Sequence, residues 1–346
     1  MKLLHLFRMG LVLAIGLSAT SVPAQSSAVE HMNALSQREE LLSVNYMSYM
    51  SEVAHGGRAR KMEKRRNELI TTIRGSIKEA EKLAPFEGDA SLRDAYKTYW
   101  NVLLSVFMEE YHKIVDMEEV AEQSYDAMET YLLVQEKAGE KLDEAYGKVA
   151  LAYKVFAASH HVKLVEGEQS KLSRKLDQAG KVNKYYNQLY LIYFKSTVQE
   201  GLMVAALNRN DINAIEQGRS SLTRYASEGL TRLDTMKAFQ GDGSVINTCR
   251  KMLTFQQSEA DKFSAITNFL LKNEEFTKIK KTFDTKPANK RTQADIDQYN
   301  TAVKELNLAV NDYNKVNEQL NKERSKMHDQ WDSTGKRFFD DHVPHK

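Results

Sequence analysis

The chain has 346 residues with 49 basic and 47 acidic side chains, a formal charge of +2 and a single cysteine. This near-neutral balance argues against bulk attraction to nucleic acid or to an anionic membrane, and one cysteine excludes an internal disulfide framework, so a large apolar core must supply the stability. Only four prolines occur, and they leave long segments free for helices, where an interior proline costs about 3 kcal/mol.

In chain order, residues 1–24 read as a secretory signal. Lys2 and Arg8 precede the apolar run Leu11–Leu17, and Val22-Pro23-Ala24 offers a small-residue cleavage site. The run is shorter than the roughly 20 apolar residues that span a bilayer. Cleavage near Ala24 would leave an exported chain, periplasmic, surface-bound or extracellular, without a membrane-spanning segment. It would also be formally neutral.

Beyond Ala24, helical periodicity predicts eight helices, at about 28–56, 59–84, 89–123, 138–167, 182–208, 211–238, 243–283 and 292–330. The first ends in Glu52 and His55, and the third holds a second Glu-x-x-His pair, Glu109 and His112. That spacing puts carboxylate and imidazole on one helix face, the donor set of a metal-binding four-helix bundle. The neighbours of both histidines along their faces are mainly polar, which favours solvated faces over an inward-facing metal site.

The second helix opens on Arg58, Arg60, Lys61, Lys64, Arg65 and Arg66. Positive charge is unfavourable at a helix N-terminus, so acidic neighbours are expected, with Glu118, Glu119, Glu122, Asp126 and Glu129 as candidates. Lys278, Lys280, Lys281, Lys286, Lys290 and Arg291 around Pro287 raise the same question. An anionic partner is the competing reading in both places.

Phe86-Glu87-Gly88-Asp89-Ala90-Ser91 recurs as Phe239-Gln240-Gly241-Asp242-Gly243-Ser244, 153 residues later. The same offset superposes Leu69 on Leu222, Ile77 on Leu230, Tyr146 on Tyr299 and Ala150 on Val303. Apolar positions meet apolar positions, the mark of an internal repeat. The motif itself reads as a helix–helix corner, with glycine in a left-handed conformation and Asp or Ser capping the next helix.

The expected fold is therefore all-α: two internally duplicated four-helix bundles, 25–168 and 182–346, separate or joined as one elongated bundle, with the polar stretch 168–181 as junction or continuous helix. Tyr186, Tyr190 and Tyr193 form a stripe that reads as core or, alternatively, as a groove for a small apolar ligand. Cys249 falls opposite Tyr96 and reads as buried.

The last helix carries a heptad with Ile296, Val303, Val310 and Asn317 at one seam position and Tyr299, Leu306, Tyr313 and Leu320 at the other. Asn300, Asn307, Asn314 and Asn321 follow beside them, either as amides bonded to neighbouring helices or water, or as a ladder that recognises a partner. Tyr299-Asn300, Tyr313-Asn314-Lys315, Leu320-Asn321-Lys322-Glu323-Arg324, Trp331 and the ending from Phe338 to Pro344 resemble a family of uncharacterised exported bacterial surface or envelope helical proteins. The resemblance implies export and an envelope or surface role, and no activity or site residues. Phe338 and Phe339 can dock on the bundle as a terminal clamp.

No nucleophile elbow, phosphate-binding loop, dinucleotide fingerprint or zinc-protease helix occurs. The sequence points to a non-enzymatic, cofactor-free protein that binds a protein partner, through Asn300, Asn307, Asn314 and Asn321 first and Arg58, Arg60, Arg65 and Arg66 second. A carrier of an apolar ligand is the alternative from another class.

Overall fold

The computed structural model describes residues 17–19, 26–56, 58–110, 121, 124–166 and 169–345. These residues form an all-α protein. The helices are α1 Ser26–Ala54, α2 Ala59–Lys82, α3 Ser91–Ser105, α4 Tyr125–Ser159, α5 Lys171–Asn208, α6 Ile212–Thr235, α7 Ser244–Thr285 and α8 Gln293–His342. A three-residue antiparallel ladder, Leu17–Ala19 with Leu164–Glu166, is the one strand pair described.

Side-chain caps explain where several helices begin. Ser124 accepts from Ala127 N at 3.1 Å, starting α4 well before residue 138. Ser170 does the same for Ser173 N at 3.0 Å, so the polar stretch expected at 168–181 is helical from Lys171 onward. Asp211 caps α6 through Ala214 N at 3.0 Å. Such caps satisfy donors that have no intrahelical partner.

The two Phe-x-Gly-Asp-x-Ser corners are congruent. Phe86 and Asp89 exchange backbone hydrogen bonds of 3.0 and 2.8 Å, and Phe239 and Asp242 repeat both lengths. The two residues between them lie in the left-handed region in each case, Glu87 and Gly88 at φ 49° and 86°, Gln240 and Gly241 at 50° and 91°. Each aspartate then accepts from the first backbone N–H of the following helix, Ser91 at 2.8 Å and Ser244 at 2.7 Å. The hydrogen bonds of Ser91 also hold the Asp89 carboxyl below its ordinary range. The preceding helices α2 and α6 begin and end at the 153-residue offset too.

The chain divides into two compact units, residues 1–188 with 336–346, and residues 189–335. The boundary departs from the expected 25–168 and 182–346 because α8 continues to His342 and its end packs in the first unit. There Phe338 and Phe339, 1% and 2% exposed, stack near Tyr185 and Tyr186. The expected clamp is thus part of a helix.

Among the described residues, the core of the first unit holds one buried acid. Glu39 accepts from Trp100 Nε1 at 2.8 Å and Tyr99 Oη at 3.4 Å. Burial pushes its carboxyl up to about 7, against those two hydrogen bonds, which lower it. A folded-state value above the ordinary 4.5 makes this group stabilise the fold fully at acid pH and lose that contribution as pH rises through about 7. Glu39→Gln keeps the acceptor and removes the titration. Thermal melts should show a smaller fall in Tm between about pH 5 and 8 than the wild type, with a gain at the upper end of at most about 3 kcal/mol. An unchanged pH profile would mean the carboxyl is not the group being read.

In the second unit, glycines set how closely helices approach. A Cβ on Gly218 would lie 2.9 Å from Met203 Cβ, and one on Gly229 would lie 2.8 Å from Leu253 Cδ1. This proximity seats α5 and α7 around α6.

Candidate functional site

Two glutamates on the apolar faces of their helices meet inside the second unit. Glu200 follows Tyr193 and Ser196 on α5 and precedes Met203; Glu259 lies between Met252, Gln256, Phe263 and Ile266 on α7. Their side chains are 3% and 0% exposed. Three-to-four-residue spacing leaves each acid no route outward.

α8 supplies the counter-charge. Arg324 donates through Nη2 to Glu259 Oε1, and its Nε lies 3.4 Å from Glu200 Oε1. One turn further, His328 Nε2 is 3.1 Å from Glu200 Oε2, and His328 Nδ1 is 2.8 Å from Tyr193 Oη. A carboxylate only accepts, so Nε2 carries a proton, and the Tyr193 hydroxyl is the hydrogen-bond partner of Nδ1. Trp331 closes the cluster, its indole stacked on Tyr193 at 4.1 Å and 6°.

The two carboxyls share one buried site and set each other's protonation. Burial, then the neighbouring Glu200, pushes Glu259 well above the usual carboxylate range. For Glu200, burial alone would raise the value. The hydrogen bond from His328, the neighbouring Glu259 and the charges of His328 and Arg324 outweigh it and hold the group low. At neutral pH Glu200 is the anion, Glu259 the acid, and Arg324 balances the pair.

Arg324 also lines a cleft of about 340 Å³ in the same unit, with Asn317 and Asn321 of α8, Asn208 at the end of α5, Asn210 of the turn after it, and Phe269 of α7. Arg324 Nη1 donates to Asn321 Oδ1 at 2.7 Å, and Asn321 Nδ2 to Asn317 Oδ1 at 3.4 Å. A hydrogen-bonded chain therefore runs from the buried acids to the cleft. Known protein families, curated proteins and solved structures offer no match to this chain.

The structure separates the residues singled out from the sequence. Asn300, Asn307 and Asn314 are exposed on one flank of α8, whereas Asn321 belongs to the Arg324 chain. One row of the seam is shifted by one residue, with Ala302 and Ala309 buried and Ile296 37% exposed, while the other row packs inward, Leu320 buried and Tyr299 and Tyr313 against Phe283 and Phe269. Small residues let the helices approach where the expected valines only flank the contact.

The basic run on α2 is matched locally. Lys61 pairs with Glu52 of α1 at 2.6 Å, Arg65 with Glu68 and Arg66 with Glu63. Arg66, 5% exposed, also donates to the Phe107 carbonyl at 2.9 Å, within the π-helical turn Val106–Glu110 that continues α3. A π turn displaces carbonyls from the α pattern, so the guanidinium finds an acceptor there. Arg58 and Arg60 are exposed. Glu118, Glu119 and Glu122 lie outside the described residues.

Of the Glu-x-x-His residues, Glu52 holds Lys61, and His55 Nδ1 lies 3.0 Å from Asp340 Oδ1 with its ring stacked on His345 at 3.9 Å. His55 is thus packed in a cluster, not on the solvated face expected of it. The Glu109 side chain and His112 lie outside the described residues. Among the described residues no group of three or more His, Cys, Asp or Glu is placed to hold a metal.

The tyrosine stripe packs against aromatic rings of α8. Tyr186 meets Phe339 at 4.7 Å in the first unit, and Tyr190 and Tyr193 meet Trp331 in the second. Cys249 is fully buried, and burial pushes its thiol up to about 12. No described helix is long and apolar enough to cross a membrane.

Proposed function

We propose that this chain is an exported, non-enzymatic component of the cell envelope or surface that binds a protein partner along α8. The observation that carries the reading is the amide row. Asn300, Asn307 and Asn314 are exposed at seven-residue spacing, and none makes a side-chain hydrogen bond among the described residues. They span about 21 Å of helix, enough to register an extended partner, with donors and acceptors left open on one flank. The signal-like N-terminus and the resemblance of the C-terminal segment to envelope proteins support the location. The exposed Arg58 and Arg60 are the second candidate contact.

The test is a quantitative pull-down from envelope extract with the tagged chain, at low and high salt. A saturable partner is expected, weakened at least about tenfold by joint replacement of Asn300, Asn307 and Asn314 with alanine, since each hydrogen bond contributes about 1 kcal/mol. Retention that high salt abolishes would move the contact to the arginines. A partner bound equally by the triple variant would remove the amide row from the reading.

A further inference from the structure

We infer that the cleft bounded by Asn208, Asn210, Asn317, Asn321, Phe269 and Tyr313 is a binding site for a neutral saccharide unit. Four of these residues are amides, and they come from two directions. Asn317 and Asn321 lie four residues apart on one face of α8, and Asn208 at the end of α5 and Asn210 in the turn after it enter from the other side. Asn210 sits at φ 54°, a left-handed conformation that asparagine adopts more readily than most residues.

The α8 amides are oriented by hydrogen bonds within the protein. Arg324 Nη1 donates to the Asn321 oxygen, which favours one orientation of the amide, with Asn321 Nδ2 turned towards Asn317. Arg324 is itself fixed by Glu259 and Glu200. The buried acid pair thus acts as the anchor of the cleft wall, and a preorganised donor–acceptor set loses little freedom on binding.

Charge and shape then select the ligand. The Arg324 charge is balanced beneath the cleft by Glu200, so the wall offers amide dipoles and no net charge. Beside the amides the rings of Phe269 and Tyr313 pair at 4.6 Å and 32°, an apolar platform. A ligand with adjacent hydroxyls on its edge and C–H groups on its face meets both surfaces. The volume, about 340 Å³, is at the small end of ligand pockets, about 300–1,000 Å³. It suits a mono- or disaccharide, whereas a peptide strand needs a longer groove.

The inference is independent of the partner-binding row, which lies at Asn300, Asn307 and Asn314. The probes are maltose, lactose and N,N′-diacetylchitobiose, titrated calorimetrically into the full chain, with trialanine as the peptide comparison. At least one sugar should bind saturably, and two variants should each weaken it at least about tenfold, a loss of about 1.4 kcal/mol. One is Asn317→Ala with Asn321→Ala. The other is Asn210→Gly, which removes an amide while glycine keeps the left-handed turn, so its Tm should not fall. Asn300→Ala with Asn307→Ala should leave sugar binding unchanged. The inference is overturned if no sugar binds up to about 10 mM, weaker than the millimolar range in which a few kcal/mol registers. Binding that survives both cleft variants, or trialanine binding where no sugar does, overturns it as well. Sugar binding without an envelope partner would sink the partner reading alone.

Discussion

Replacing Arg324 by methionine should destabilise the second unit by about 3–5 kcal/mol, the range for removing one member of a buried ion pair. The reason is the anion left behind. Glu200 is 3% exposed and held ionised by His328 and Arg324, and without the guanidinium it must stay charged in the core or take up a proton. Urea unfolding at neutral pH, followed by near-ultraviolet circular dichroism, measures the loss. Adding Glu200→Gln should restore most of it. A double variant as unstable as the single one would show that Arg324 acts through packing of its stem and not through charge. Glu259 supplies the pH dependence of the same cluster. Its folded-state value is raised, so its contribution is complete below the ordinary glutamate range and is lost as pH rises through the raised value. The wild type should therefore weaken towards alkaline pH, and Glu259→Gln should flatten that slope.

The second large effect belongs to Trp331→Ala, expected to cost about 3–5 kcal/mol by opening a cavity. The indole is 2% exposed and lies flat on Tyr193, which in turn holds His328. Removing it loosens both the core and the lid of the acid cluster. Hydrogen exchange should show the largest loss of protection in α5 and α8 around residues 190–200 and 324–331. A change below about 1 kcal/mol would mean the site collapses onto the vacancy.

Much of the architecture was legible in the residues because it depends on local rules. Apolar spacing placed eight helices, and the Phe-x-Gly-Asp-x-Ser motif announced a corner with left-handed glycine and a cap by Asp or Ser, of which the aspartate accepts the bond. What the motif did not reveal is that Glu87 and Gln240 share the left-handed conformation, since neither residue type favours it. Helix starts were missed where a lone serine, Ser124 or Ser170, caps inside a polar stretch without an apolar signal.

The candidate site was harder to read because its parts are charged residues in core positions. The clue was present: continuing the α8 heptad from Asn317 places Arg324 and Trp331 on the same row, and Glu259 falls on the stripe of Met252 and Phe263. A charge on such a row is usually solvated, and only the fold shows that three helices bring Glu200, Glu259 and Arg324 together. The amides share one seven-residue spacing, which gives no sign that Arg324 diverts Asn321 from the other three. The basic run was correctly expected to need acidic neighbours, but its partners are Glu52, Glu63 and Glu68, on α1 and within α2 itself.

Cys249 turns the second unit into its own timekeeper. The thiol is fully buried and protonated throughout the physiological range, so an alkylating or disulfide reagent meets no reactive thiolate until the surrounding helices part. As the chain has no other cysteine, the labelling rate under native conditions counts openings of that core alone. Compared with the rate in denaturant, it converts into a local opening free energy, without any foreign probe.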